Sequence, residues 1–310
     1  MHAANPIRPV AIEARGLVKR YGDRRVVDGF SAEVGRGQIF GLLGPNAAGK
    51  TTVIRMLCGI IERDGGEVLI DGADIDRARK RIGYVAQRFG QYEELTIWEN
   101  LRFYAEMYGV RDRQRLRALL RRYGLQAYAA KPAAILSGGF QRRLALACAL
   151  AHDPEVLFLD EPTAGIDPVT RKLLWDEFYQ LSASGKTLFV TTHYMEEAQR
   201  CQQLAFIEQG RTIAAGTPDT IRRSLGDVAV YTVRLGFDPA VHAALQAEPA
   251  VLLVNQFGGE LRIVVSRDFP GARLAGIIGD IRGEPVEPAS AELNLEDVFI
   301  GLTQNGDSGR

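Results

Sequence analysis

An α/β chain with a second, smaller α+β unit is predicted by three observations. Up to Gly226, short apolar runs alternate with longer segments whose apolar residues recur at helical spacing. Two of the runs, Ile39–Leu43 and Val156–Leu159, carry no polar side chain, as expected of strands buried on both faces of a sheet. Beyond Gly226 the texture changes to alternating strands, a Gly-Gly hairpin and two amphipathic helices. At 310 residues there is length for one large domain or two modest ones with real cores.

Residues 1–9 have no apolar h-region and are expected to form a loose N-terminal tail. Residues 10–40 read as paired strands, VAIEARGLVKRYG and RVVDGFSAEV, with turns at Gly22-Asp23 and Gly35–Gly37. The strand Ile39–Leu43 then runs into Gly44-Pro45-Asn46-Ala47-Ala48-Gly49-Lys50-Thr51-Thr52, which fits the phosphate-loop pattern G-x-x-x-x-G-K-[ST]. Val53, Ile54 and Leu57 follow at helical spacing, so the loop lies between a strand and a helix start. Successive backbone N–H groups there, with the positive end of the helix dipole, supply the donors that phosphate oxygens need. Lys50 adds a point charge for the β- and γ-phosphates, and the Thr51 hydroxyl can ligate the Mg2+ that bridges them. ATP and Mg2+ are therefore the expected ligands. Tyr21, a short β segment upstream, either stacks on the adenine ring or is a surface aromatic at a strand end.

Glu67–Asp71 and Arg81–Gln87 read as further strands. Gln87, at a strand's carboxyl end, either points at the metal or attacking water or is a loop glutamine. From about 88 to 152 the pattern is helical. Thr96-Ile97-Trp98-Glu99 is a capping box. Leu116, Leu119, Leu120 and Tyr123 form one helix face, and Arg113, Arg117 and Arg121 another, either solvated or against acidic lipid headgroups. Ser137-Gly138-Gly139 opens the next helix, as a second anion-ready N-terminus or as ordinary turn chemistry. The strand Val156–Leu159 ends in Asp160 and Glu161, which strand alternation sends to different faces. Asp160 can then hold the metal while Glu161 orients or polarises water; a solvated acidic tip is the alternative. Leu188–Thr192 is one more buried strand, ending at His193, which either bonds the γ-phosphate or is structural.

Bulk composition narrows the classes. Thirty-eight basic residues balance 38 acidic ones, which argues against a broad nucleic-acid face. Cys58, Cys148 and Cys201 are scattered and read as buried thiols in a reducing compartment rather than a disulfide frame or metal site. No apolar run approaches the ~18–20 residues that span a bilayer, so any membrane role is expected through a partner.

In order, Tyr21, GPNAAGKTT, Gln87, LSGGF, VLFLDE, Ala164–Asp167 and His193 resemble the ATP-binding cassette of ABC transporters over about residues 10–226. The resemblance implies a P-loop cassette fold: a mixed sheet core, an antiparallel β part and a helical subdomain. It implies the roles of adenine-stacking aromatic, Walker A, Q-loop, signature, Walker B, D-loop (with Asp167 near the nucleotide) and switch histidine. It assigns catalysis to Glu161, His193, Gln87 and Lys50, and the metal to Thr51, Gln87 and Asp160. Two cassettes, identical or paralogous, would pack head to tail, so that Ser137–Gly139 of one close over the phosphate held by the other. The runs TTHYMEEAQRC and LEDVFIGLT resemble ATPase subunits of ABC-2-type exporters, implying a transmembrane permease partner and a peripheral place on the cytoplasmic face of the membrane. Soluble cassettes acting on ribosomes or DNA are the first rival, and an ATP-sensing cassette without significant turnover the second. Ala47 stands where the family usually has Gly. If that position needs φ > 0, a Cβ there costs about 1–2 kcal/mol, and Ala47→Gly is expected to tighten ATP binding about tenfold. Phe140 replaces a frequent Gln, outside the phosphate-contacting part.

Residues 227–304 are expected as the α+β unit, resembling an accessory domain of some ABC-2-type ATPases. Its strand is marked by Tyr231, Val233 and Leu235, its hairpin by Gly258-Gly259, and its helices by Ala272–Ile281 and Leu295–Leu302, the latter capped by Asn294. Residues 305–310 are expected to be disordered.

Overall fold

Val10–Tyr21 (β1) and Arg24–Gly35 (β2) pair antiparallel across the Gly22-Asp23 turn in the computed structural model, which describes residues 9–307, with side chains through Gln304. The chain continues through Ile39–Leu43 (β3), Lys50–Leu57 (α1), Gly65–Ile70 (β4), Ala73–Asp74 (β5), Ile75–Ala78 (α2) and Ile82–Val85 (β6). Ile97–Met107 (α3), Arg113–Arg122 (α4) and Gly138–Ala149 (α5) make the helical part. Val156–Asp160 (β7), Pro168–Ala183 (α6), Thr187–Thr192 (β8), Met195–Ala198 (α7), Gln203–Glu208 (β9) and Arg211–Gly216 (β10) follow. Two units result, Met1–Thr212 and Ile213–Arg310, the break falling inside β10 and ahead of the change in composition at Gly226.

β1, β2, β4 and β5 form an antiparallel sheet in the order β2-β1-β4-β5. The second sheet has the order β10-β9-β3-β8-β7-β6, and β9, β3, β8, β7 and β6 run parallel. Every residue of β3, β7 and β8 is buried, as the apolar runs Ile39–Leu43, Val156–Leu159 and Leu188–Val190 require, and the polar residues at the ends of β7 and β8 are buried with them. Alternation divides these residues between two cores. Leu157, Leu159, Leu188 and Val190 pack with α3–α6, whereas Phe40, Val156, Phe158 and Phe189 pack with α1 and the antiparallel sheet. Trp175 and Phe178 of α6 are the largest apolar investment on the helical side, each worth about 1.5–3 kcal/mol in transfer from water. The parallel arrangement sends the carboxyl ends of β3, β7 and β8 to one edge, where ligands gather in open α/β sheets.

In the second unit, Pro218–Arg223 (α8), Val228–Arg234 (β11), Pro239–Gln246 (α9), Val251–Phe257 (β12), Glu260–Ser266 (β13), Gly271–Arg282 (α10), Ala289–Ala291 (β14) and Leu295–Asp307 (α11) follow in order. The antiparallel sheet has the order β12-β13-β11-β14. Val241, Leu245, Leu274 and Ile278 cover one face against Val233, Leu261, Ile263 and Val265. Leu225, Leu293 and Ile300 pack against Val230, Leu253 and Val264 of the other. Asn294 caps α11 by accepting from the Asp297 N–H at 2.7 Å, and the fully buried Asp297 pairs with Arg262 at 2.7 Å. The helix α11 runs to Asp307, through the first residues of the stretch expected to be disordered. A helix already nucleated gains one bond for each residue added, and no proline stops this one. Of the tails expected at 1–9 and 305–310, residues 1–8 and 308–310 lie outside the described residues.

Candidate functional site

The phosphate loop is shaped by two close backbone approaches. A Cβ on Gly44 would lie 2.1 Å from the Ile207 carbonyl oxygen, and one on Gly49 would lie 2.7 Å from that of Val26. Gly49 also carries φ 109 as the residue before α1, a conformation that side chains disfavour. Ala47 stands at φ 65 without that freedom. The strain foreseen for it is therefore present, and its relief bears on stability as well as on binding. A left-handed backbone built into the folded loop is relieved by glycine with or without phosphate, so the gain falls on stability also. Relief of about 1–2 kcal/mol, less about 0.4–1 kcal/mol for the looser unfolded chain, leaves a net gain of about 0–1.6 kcal/mol, roughly 1 kcal/mol at mid-range. Ala47→Gly is expected to raise the melting temperature by about 2–4 °C. A lower melting temperature would show that the loop is not strained at this residue.

Beyond the loop, the chain folds its predicted polar residues together. Tyr21, Asn46, Ala47, Gly49, Lys50, Thr51, Thr52, Gln87 and Glu161 line one cleft of about 490 Å3. Lys50 is buried, and its ammonium donates to the carbonyls of Gly44 at 2.8 Å and Pro45 at 3.0 Å. Glu161 Oε1 lies 3.1 Å from the same nitrogen. Three protons thus have three acceptors, and a phosphate entering the cleft competes for the one facing Glu161. Ala48 is buried within the loop, where its carbonyl accepts from the Gly210 N–H at 3.0 Å.

Glu161 gathers most of the remaining groups. Its Oε2 accepts from Gln87 Nε2 at 3.1 Å and lies 3.2 Å from His193 Nδ1. Strand alternation is not what separates it from Asp160: β7 ends at Asp160, and Glu161 leaves the strand at φ 45. A left-handed non-glycine residue costs of order 1–3 kcal/mol and persists only where surroundings fix it. Here its backbone N–H donates to the Thr191 hydroxyl at 2.9 Å.

Asp160 is fully buried, and its Oδ1 accepts from Thr191 at 2.7 Å and from Thr51 at 3.2 Å. Its Oδ2 has no hydrogen-bond partner. Burial holds this carboxyl above its usual range, against the two hydroxyl bonds that lower it, and the neighbouring Glu161 raises it further. A buried carboxylate oxygen without a donor, beside a threonine hydroxyl, fits Mg2+, which takes one or two carboxylates and fills its shell with phosphate and water oxygens. Such a site needs no larger ligand cluster, and among the described residues no group of three or more His, Cys, Asp or Glu side chains forms one.

Other expected residues stand outside this cleft. Ser137 is exposed and precedes α5 without a side-chain capping bond, leaving its hydroxyl uncommitted to the helix; Gly138 is exposed beside it. Gly139 packs so closely on Thr170 that a Cβ there would lie 2.9 Å from its methyl. Asp167 caps α6, its Oδ1 accepting from the N–H groups of Val169 at 3.0 Å and Thr170 at 2.9 Å; the Thr170 hydroxyl first, and then these N–H groups, hold its carboxyl below the usual range. Within one chain, then, neither Ser137–Gly139 nor Asp167 lines the cleft.

Three residues of the site escaped the sequence reading. Thr191 donates to the Asp160 carboxylate and accepts from the Glu161 backbone N–H, and its only signal is a hydroxyl at the end of an apolar strand. Arg24 lines the cleft opposite Tyr21 in the β1–β2 pairing, a placement that only the register reveals. Arg142 of α5 donates to the Ala86 carbonyl at 3.1 Å, tying this helix to the loop of Gln87. Burial lowers the pKa of its guanidinium, against the raising pull of Asp160 and Glu161.

The comparisons with known proteins fit this geometry. Residues 27–164 match the family model described as ABC transporter. The chain is 41% identical over 310 residues to the Nod factor export ATP-binding protein I of Ralstonia nicotianae, covering 94% of this chain and 93% of that protein. It is 43% identical over 218 residues to the probable multidrug ABC transporter ATP-binding protein YbhF of Escherichia coli, a match over 68% of this chain but only 38% of that longer protein. A solved ATP-binding subunit of an ABC transporter superposes with a TM-score of 0.64 at 31% identity, over 70% of this chain and 93% of that one. Matched by that family model and, over 94% of its length, by a relative 41% identical to it, the chain belongs to the ATP-binding cassette family of ABC transporters.

Proposed function

We propose that this chain is the ATP-hydrolysing subunit of an ABC-2-type exporter, working head to tail with a second cassette, identical or paralogous, on a partner permease at the cytoplasmic face of a membrane. The observation that carries the reading is the convergence of Lys50, Gln87 and His193 on the Glu161 carboxylate, next to Asp160 with its unpartnered oxygen. In this reading Lys50 shifts from Glu161 onto the β- and γ-phosphates of ATP, and Tyr21 stacks on adenine. Glu161, relieved of the ammonium, accepts the proton of the attacking water. Gln87 and His193 hold that carboxylate in place and meet the water and the γ-phosphate. Thr51 and Asp160 would hold Mg2+, which when bound would supply positive charge for the phosphate oxygens. The relatives named for multidrug and Nod factor export favour the exporter assignment.

Ser137 and Gly138 support the paired arrangement, because an exposed helix start with a free hydroxyl is suited to a phosphate held by another molecule. A permease is supported by a second cavity, of about 480 Å3, between α3, α5 and β6. Tyr84, Gln91 and His152 line it, and the Tyr84 hydroxyl, Gln91 Oε1 and His152 Nδ1 are buried without partners. Buried polar atoms left in this way are costly, and a docked segment can satisfy them. Among the described residues no helix is long and apolar enough to cross a membrane. One experiment with two arms tests the proposal. Ser137→Cys combined with Asn46→Cys should crosslink between chains only with ATP bound; no ATP-dependent crosslink would overturn the paired reading. Tyr84→Phe with His152→Ala should reduce membrane retention in cells that express the exporter while leaving ATP binding intact. Unchanged retention would remove the cavity from the permease contact.

A further inference from the structure

A third cavity, in the helical part, has no place in the nucleotide chemistry. It is about 500 Å3 in volume, and Trp98, Leu120 and Ala129 line it together with Arg102, Arg117 and Arg121. Its walls are fixed to each other by the backbone: the Trp98 N–H donates to the Ala129 carbonyl at 2.9 Å, and the Ile97 N–H to that of Lys131 at 3.0 Å. Trp98 is half-buried against the helical core, and Leu120 is buried. The rim carries uncompensated charge. Arg117 and Arg121 stand one turn apart on α4, so they repel, and neither guanidinium has a carboxylate or hydrogen-bond partner among the described residues. Arg102 is shared with Glu106 at 3.1 Å. The one acid in the lining, Glu99, is committed to the cap of α3, its Oε2 accepting from the Thr96 N–H at 2.8 Å and hydroxyl at 2.7 Å.

We infer that this cavity binds an organic anion with an apolar body, of the class of alkyl phosphates, fatty acids and acidic phospholipids. The anionic head lies between Arg117 and Arg121, with Arg102 at its side, and the apolar body lies on Trp98, Leu120 and Ala129. An arginine fork matches a phosphate or carboxylate with paired N–H donors. A cavity of this size suits a small amphiphile rather than a folded partner. The site is separate from the cleft of Lys50 and Glu161, and the inference does not depend on the permease reading.

Fluorescence provides the test, because the chain has two tryptophans and the other, Trp175, is fully buried. Titration with dodecyl phosphate below its micelle concentration is expected to shift Trp98 emission saturably, and inorganic phosphate at the same concentrations to leave it unchanged. Vesicles of phosphatidylglycerol, against phosphatidylcholine alone, show whether the source is a bilayer: a shift with the acidic vesicles identifies a membrane lipid, and a shift with the monomer alone identifies a soluble amphiphile. Arg117→Ala with Arg121→Ala, both on the exposed face of α4, should weaken binding at least tenfold while ATP binding is unchanged. No saturable shift with either amphiphile, or equal affinity in the double variant, overturns the assignment; so does a phosphate response equal to that of dodecyl phosphate.

Discussion

Glu161→Gln is expected to retain ATP binding while lowering hydrolysis by about 10²–10⁴-fold, the range for removing a positioned general base. The amide keeps the shape of the carboxylate, so the approach of Gln87 and His193 survives with altered polarity. What disappears is the proton acceptor and the charge facing Lys50 at 3.1 Å. An ammonium no longer held by that carboxylate is freer to meet phosphate, so affinity should be equal or tighter. Nucleotide affinity by fluorescence and phosphate release in a single turnover separate the two effects. Hydrolysis at the unsubstituted rate would end the assignment of Glu161 as base; loss of binding and turnover together would point to a collapsed loop.

Most of the cleft was legible because its residues sit on local signals. The loop from Gly44 to Thr52 is contiguous, and its flanking strand and helix follow from unbroken apolar runs and helical spacing. Asp160 and Glu161 were placed by the end of an apolar strand, yet for the wrong reason: the left-handed turn at Glu161 separates them. Backbone handedness at a non-glycine residue leaves no mark in composition. Thr191 and Arg24 were missed because their importance comes from register between distant strands, through the parallel pairing of Asp160 with Thr191 and the antiparallel pairing of Tyr21 with Arg24. The roles of Ser137 and Asp167 were read through the family resemblance, and the single chain shows why composition could not supply them. Their side chains stand outside the cleft of their own molecule.

Asp160→Asn tests the metal reading through two effects of opposite sign. Burial raises the pKa of the Asp160 carboxyl, so the folded chain holds the proton more tightly than the unfolded one. The stabilising contribution of that proton is complete below the ordinary carboxylate range and is lost as pH rises through the raised value. At neutral pH the ionised, fully buried side chain therefore works against the fold, with Oδ2 unpartnered. Asparagine removes the charge and keeps an oxygen to accept from the Thr191 hydroxyl. The variant should melt at a higher temperature than the parent at pH 7 without nucleotide, and the difference should shrink as pH falls into the carboxylate range. With Mg2+ and ATP the order should reverse, because an amide is a poorer ligand for a hard cation that prefers carboxylate oxygens. Hydrolysis should fall by about 100-fold or more, comparable with the loss of one electrostatic stabiliser of a transition state. Such an exchange of stability for activity is what a site held under electrostatic strain for a ligand produces. A variant less stable than the parent at neutral pH would show that the buried charge is already compensated within the chain. Full Mg2+-dependent turnover would show that the metal is held elsewhere.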